Sequence, residues 1–119
     1  AEYCAELRGT VQWQQDPQAA AERVRQEWLE RHASAGRFTL YRAKGCAACG
    51  GSGYKGRVGL HELLVASDEV KKLIQEKARV AEIFVKAVED GMSTLKMDGM
   101  EKVMMGLTDM KQVRAVCIK

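Results

Sequence analysis

What this 119-residue sequence has little of narrows the field first. No apolar run approaches the roughly 20 residues of a membrane-spanning helix, so nothing reads as a span. The first residues, Ala1-Glu2-Tyr3-Cys4, lack the basic-then-apolar pattern of a secretory leader. Four cysteines, Cys4, Cys46, Cys49 and Cys117, are few for a disulfide scaffold. There is no internal repeat and no low-complexity stretch. A net charge of +3 is too weak to imply nucleic acid by itself. The expectation is a cytosolic polypeptide, and a fragment of a longer one.

What is present is an ordinary globular composition, 46% hydrophobic and 29% charged. A chain this long buries only about two-thirds of its unfolded surface. A metal staple in the less apolar half would therefore help. Asp16-Pro17 marks a helix start, because Asp caps orphan amides and Pro suits the first helical position. Ala21, Val24 and Trp28 then form one apolar stripe, and Gly36 supplies the stop. Residues 37–43 (RFTLYRA) are rich in aromatic and β-branched residues and read as a strand. A glycine cluster between Gly45 and Gly59 must form tight turns, and residues 58–64 (VGLHELL) read as a second strand leading out of it.

The second half reads as helical throughout. Ser67 with Asp68 and Glu69 caps a helix through Val70, Leu73 and Ile74. A second runs through Val80, Ile83, Phe84, Ala87 and Val88 to a stop at Gly91. A third starts near Ser93 and continues through Met100, Val103 and Met104. Thr108 caps a fourth with Met110, Val113 and Val116 on its buried side. The expected fold is thus α+β and mostly α. A small two-strand, glycine-rich element of zinc type (residues 1–64) precedes a C-terminal helical bundle (residues 65–119). The six methionines, all from Met92 onward, read mainly as core, and Gly99 in mid-helix implies a close helix contact.

The glycine cluster matches several nucleotide-binding patterns that its surroundings reject. Gly51-Ser-Gly53-Tyr-Lys-Gly56 fits G-x-G-x-x-G, yet the dinucleotide reading needs a strand before it and a helix after. A kinase would need H-R-D and D-F-G, and neither occurs. Gly56 is followed by Arg57-Val58, not by the Lys-Ser/Thr of a phosphate loop. No nucleotide cradle is expected here.

Cys46-Ala-Ala-Cys49-Gly50-Gly51 is the strongest local signal. Two thiolates at this spacing can face one zinc ion, and the glycines let backbone amides reach the sulfurs. A redox pair would need a helix at the second cysteine, which Gly50-Gly51-Ser52-Gly53 disfavours. Two further ligands are required. Cys4 is the first candidate, with His32, His61 and Cys117 weaker ones.

The block from Cys46 to Leu64, with Gly53-Tyr54-Lys55-Gly56-Arg57-Val58-Gly59-Leu60-His61-Glu62 within it, resembles the cysteine-motif segment of type II secretion and type IV pilus-assembly ATPases. That family reads C-x-x-C, a short glycine-bearing spacer, then G-Y-x-G-R-x-G-hydrophobic-x-E-hydrophobic. The tail from Gly91 to Thr108, and then Val113-Arg114-Ala-Val116, resembles the family's C-terminal helices. The resemblance spans residues 37–119. It implies a hexameric cytoplasmic motor, peripheral at the bacterial inner membrane, that uses ATP and Mg to drive export or pilus assembly through an inner-membrane platform protein. The phosphate loop would lie upstream in the same protein, so this chain alone is expected to be no enzyme. The family's zinc is held by two C-x-x-C pairs. Here Cys46 and Cys49 form one pair. Cys4 is either a remnant of the other or incidental, because Ala1-Glu2-Tyr3 resembles residues that follow the first pair.

Two other classes compete. Cys46-x-x-Cys49-x-Gly51-x-Gly53 matches one of the four repeats in the cysteine-rich region of J-domain chaperones. A zinc ribbon on nucleic acid would explain Arg37, Arg42, Lys44, Lys55 and Arg57 with Phe38, Tyr41 and Tyr54 among them and no acid between. Charge compensation of a thiolate-zinc site explains the same cations without nucleic acid.

Overall fold

A computed structural model describes residues 1–117. Seven α-helices run in order: α1 (Glu2–Glu6), α2 (Val11–Gln15), α3 (Pro17–His32), α4 (Asp68–Gln75), α5 (Val80–Glu89), α6 (Leu95–Met104) and α7 (Met110–Val116). One 3-10 turn, Ala47–Cys49, interrupts the long link between α3 and α4.

The expected two-strand element is not there. Among the described residues there is no strand, and the fold is helical, not α+β. An isolated bridge among the described residues pairs Ser34 with Arg37 across a turn, where Ala35 and Gly36 take positive φ of 51° and 71°. Aromatic and β-branched content favours a strand only where a neighbour completes the ladder. Residues 37–43 and 58–64 have no such neighbour. The second segment instead meets side chains of α6: the His61 amide donates to the Asp98 carboxylate at 2.8 Å.

Capping fixes the helix starts. The Asp16 carboxylate accepts from the amides of Gln18 and Ala19, both at 3.1 Å, with Pro17 at the first helical position. Ser67 caps α4, and its hydroxyl also donates to Asp90 at the end of α5, tying that hairpin shut. Thr94 caps α6, and Asp109, one residue beyond the expected Thr108, caps α7. Such caps each contribute about 1 kcal/mol.

The core centres on α6, whose Met97, Gly99, Met100 and Val103 are buried. Val113 of α7 and Val70 of α4 are sealed almost completely. Helix α1 packs on α6, and Glu2 pairs with Arg114 and with Lys96. At the end of α3, His32 meets Glu101 of α6 at 2.5 Å, with Arg31 at 3.3 Å from the same carboxylate. Contacts thus cross the boundary between residues 64 and 65 at several points.

The radius of gyration is 17.0 Å, against about 13–14 Å for a compact domain of this length. Much apolar surface therefore stays open. Ile74 and Val116, expected on apolar helix faces, are mostly exposed at 52% and 62%, and Val80 at the start of α5 is 83% exposed.

Candidate functional site

The cysteine segment folds as a tight knuckle. Cys46 precedes the 3-10 turn and Cys49 closes it, which brings the two sulfurs to 3.2 Å. The amides of Cys46 and Gly53 both donate to Cys49 Sγ at 3.1 Å. Gly50 and Gly51 follow with positive φ of 62° and 83°, a reversal that residues with a Cβ resist. Closure is tight as well. A Cβ on Gly45 would lie 2.2 Å from the Gly51 carbonyl oxygen. The Cys46 thiol and the two amides stabilise the thiolate and hold Cys49 down to about 6.

This pair suits half of a zinc site. Two sulfurs at about 2.3 Å from one tetrahedral ion stand roughly 3.8 Å apart, a small opening from the observed 3.2 Å. Donation from backbone amides is what metal-bound thiolates receive in such knuckles. Among the described residues, however, no group of three or more His, Cys, Asp or Glu is gathered for a metal. Cys4 sits half-buried on α1 and does not join the pair in such a group. His32 is held by Glu101, and the His61 ring lies against Gly59. Burial pushes the Cys117 thiol up, as befits a small apolar filler.

The loop after the knuckle is pinned to the helical tail. The Tyr54 hydroxyl donates to Asp109, the cap of α7. The Glu62 carboxylate accepts from the Leu95 amide at 2.7 Å, adding an acid at the N-terminus of α6. Leu60 reaches toward Gly99, and the ring of Tyr41 covers Gly106 so closely that a Cβ there would be 2.8 Å away. Sequence reasoning missed these pins, since Tyr54 and Asp109 are 55 residues apart. The one available signal was Gly99, whose mid-helix position implied a close neighbour.

The two motif blocks are therefore one structural unit. A family model described as Type II/IV secretion system protein matches residues 7–115. The chain belongs to this family. Among curated relatives in it, the type IV pilus assembly ATPase PilB of Thermus thermophilus is 44% identical over 80 residues, covering 67% of this chain and 9% of the relative. The PilB of Myxococcus xanthus is 40% identical over 78 residues, covering 66% and 14%. The type II secretion system ATPase E of Vibrio cholerae is 38% identical over 77 residues, covering 65% and 15%. The matched segment is thus at most about a seventh of these family members. No solved structure matches. No helix among the described residues is long and apolar enough to cross a membrane.

Proposed function

We propose that this chain is the C-terminal, non-catalytic portion of a hexameric ATPase that powers type II secretion or type IV pilus assembly. Its parent is a cytoplasmic motor, peripheral at the bacterial inner membrane, acting on an inner-membrane platform protein. The observation that carries this reading is the pinning of the G-Y-x-G-R block onto the helical tail through Tyr54–Asp109 and Glu62–Leu95. That docking joins the two blocks in one accessory module and uses the motif residues for structure, not for nucleotide.

The glycine run supports the same division of labour. A phosphate cradle needs free amides at a helix N-terminus. Here the Gly53 amide is turned onto Cys49 Sγ, the Tyr54 amide onto the Ser52 hydroxyl, and no helix follows before α4. ATP and Mg belong to the upstream nucleotide-binding domain. Cys46 and Cys49 supply two zinc ligands, and the ion, when bound, locks the knuckle. The remaining ligands come from a cysteine pair upstream or, in this chain alone, from Cys4 by movement of α1. Residues 1–64 form the cysteine-motif part and residues 65–119 the helical part of this one unit, joined through α1, His32–Glu101 and Tyr54–Asp109.

The test is a titration of the isolated chain with millimolar ATP and magnesium, read by amide chemical shifts. Residues 51–56 should not respond, and no phosphate should be released. Clear shifts at those residues would remove the basis for a non-catalytic module.

A further inference from the structure

The segment from Ala33 to His61 holds no carboxylate and five cations, Arg37, Arg42, Lys44, Lys55 and Arg57. All five are exposed, and none forms an ion pair within the described residues. In the helical half, by contrast, Lys86, Lys96, Lys102 and Arg114 each have an acid. A zinc ion on four thiolates would carry a net charge of about −2 and offset only part of this excess. Beside two of these cations lies a groove. The arch of residues 55–58 stands over α7, held at one end by Tyr54–Asp109 and at the other by the contacts of His61 and Glu62 with α6. The space between, about 870 Å³, has Lys55 and Arg57 on one wall and Val58, Leu107 and Val116 among its apolar lining. Those three apolar residues are 42%, 56% and 62% exposed.

We propose that this groove docks an acidic amphipathic segment of a partner protein. The segment's apolar side chains enter between the arch and α7, and its carboxylates pair with Lys55 and Arg57. Charge complementarity selects an acidic partner and speeds encounter. The concave lining, whose apolar side chains are aliphatic apart from Tyr54, suits a helix laid in a groove. A flat lipid surface would not fill it, and single-stranded nucleic acid would call for successive aromatic stacking platforms, where this lining has Tyr54 alone, its hydroxyl held by Asp109. The inference stands on the groove and its charges, and the outcome of the ATP titration does not bear on it.

The probe is a synthetic helical peptide with leucines at i, i+3 and i+7 and glutamates elsewhere. Anisotropy and amide shifts of the whole chain should show salt-sensitive binding at residues 53–60 and 107–116. Lys55→Ala with Arg57→Ala, and separately Val116→Ser, should each weaken it about tenfold with unchanged circular dichroism. The same peptide with lysine in place of glutamate should not bind. The proposal is overturned if the acidic peptide leaves those amides unmoved or ignores the variants. It is equally overturned if phosphatidylglycerol vesicles or a single-stranded oligonucleotide bind the same residues more tightly.

Discussion

Replacing Gly99 by alanine sets two effects of known sign against each other. In an open helix the change would stabilise by about 1 kcal/mol, because alanine loses less backbone freedom on folding. In α6 the new Cβ would lie 2.7 Å and 3.1 Å from the two methyls of Val113 and 3.4 Å from Leu60 Cδ1. Carbon atoms prefer roughly 3.5–4.0 Å. Val113 is only 1% exposed, and a β-branched side chain in a helix has one good rotamer, so it cannot swing aside. Overpacking of this kind costs about 1–3 kcal/mol. The helix-packing effect therefore wins, and Gly99→Ala should destabilise by about 1 kcal/mol net. In a Val113→Ala background the obstruction is gone, and Gly99→Ala should then stabilise by about 1 kcal/mol. The resulting coupling of about 2 kcal/mol is within the range for residues in contact. Urea unfolding of the four proteins, followed by circular dichroism, measures it. If Gly99→Ala stabilised the otherwise unchanged chain, α6 and α7 would not approach as described.

Three other outcomes follow from the same contacts. Thr94→Ala and Glu62→Ala each remove an acceptor from the start of α6 and should each cost about 1 kcal/mol in urea unfolding, while Glu62→Gln should cost less. Burial raises the Asp98 carboxyl, but the Lys102 ammonium and the His61 amide outweigh it and leave it lowered. The Tyr54 hydroxyl and the Gln112 amide lower Asp109 likewise. Carboxyls lowered on folding stabilise above their ordinary value near about 4, and that stability is lost as pH falls through the folded values. Asp98→Asn should thus be less stable than the parent chain near neutrality, and the difference should shrink in acid; a difference independent of pH would argue against the Lys102 contact. In metal-free protein, alkylation of Cys49 should titrate near a pKa of about 6, and Cys46→Ala, which removes the side-chain donor, should move it back toward the ordinary thiol value. An unmoved profile would mean that the two sulfurs do not meet.

Much of the longer helices was legible because their signals are local. Asp16-Pro17, Ser67 and Gly91 act through residues three or four positions away, so the sequence carries nearly all the information needed. Even there, Asp109 displaced Thr108 as the cap, since the two neighbours offer competing acceptors and geometry chooses. Helices α1 and α2 went unseen: five residues each give too little periodicity to read, and α1 is held by distant Lys96 and Arg114. The strands failed for the opposite reason. Residues 37–43 and 58–64 have the composition of strands, but a ladder depends on a partner that composition does not supply. At the cysteine knuckle, spacing alone indicated that Cys46 and Cys49 would meet. That Glu62 and Tyr54 fasten the knuckle's loop to α6 and α7 was invisible, because contacts over 33 and 55 residues leave no local pattern.

Zinc affinity, compared between this chain and the same chain extended at its N-terminus by the C-x-x-C pair proposed above, tests the account most directly. Two thiolates leave a tetrahedral ion half-coordinated, so the chain alone should bind weakly, and more weakly still as pH falls and the thiols regain protons. The extended chain should bind far more tightly, with amide exchange slowing across residues 37–59 while the helices from α4 onward change little. Equal affinity in both, unchanged by Cys4→Ser, would contradict the reading of Cys46 and Cys49 as half of a site completed from elsewhere in the protein.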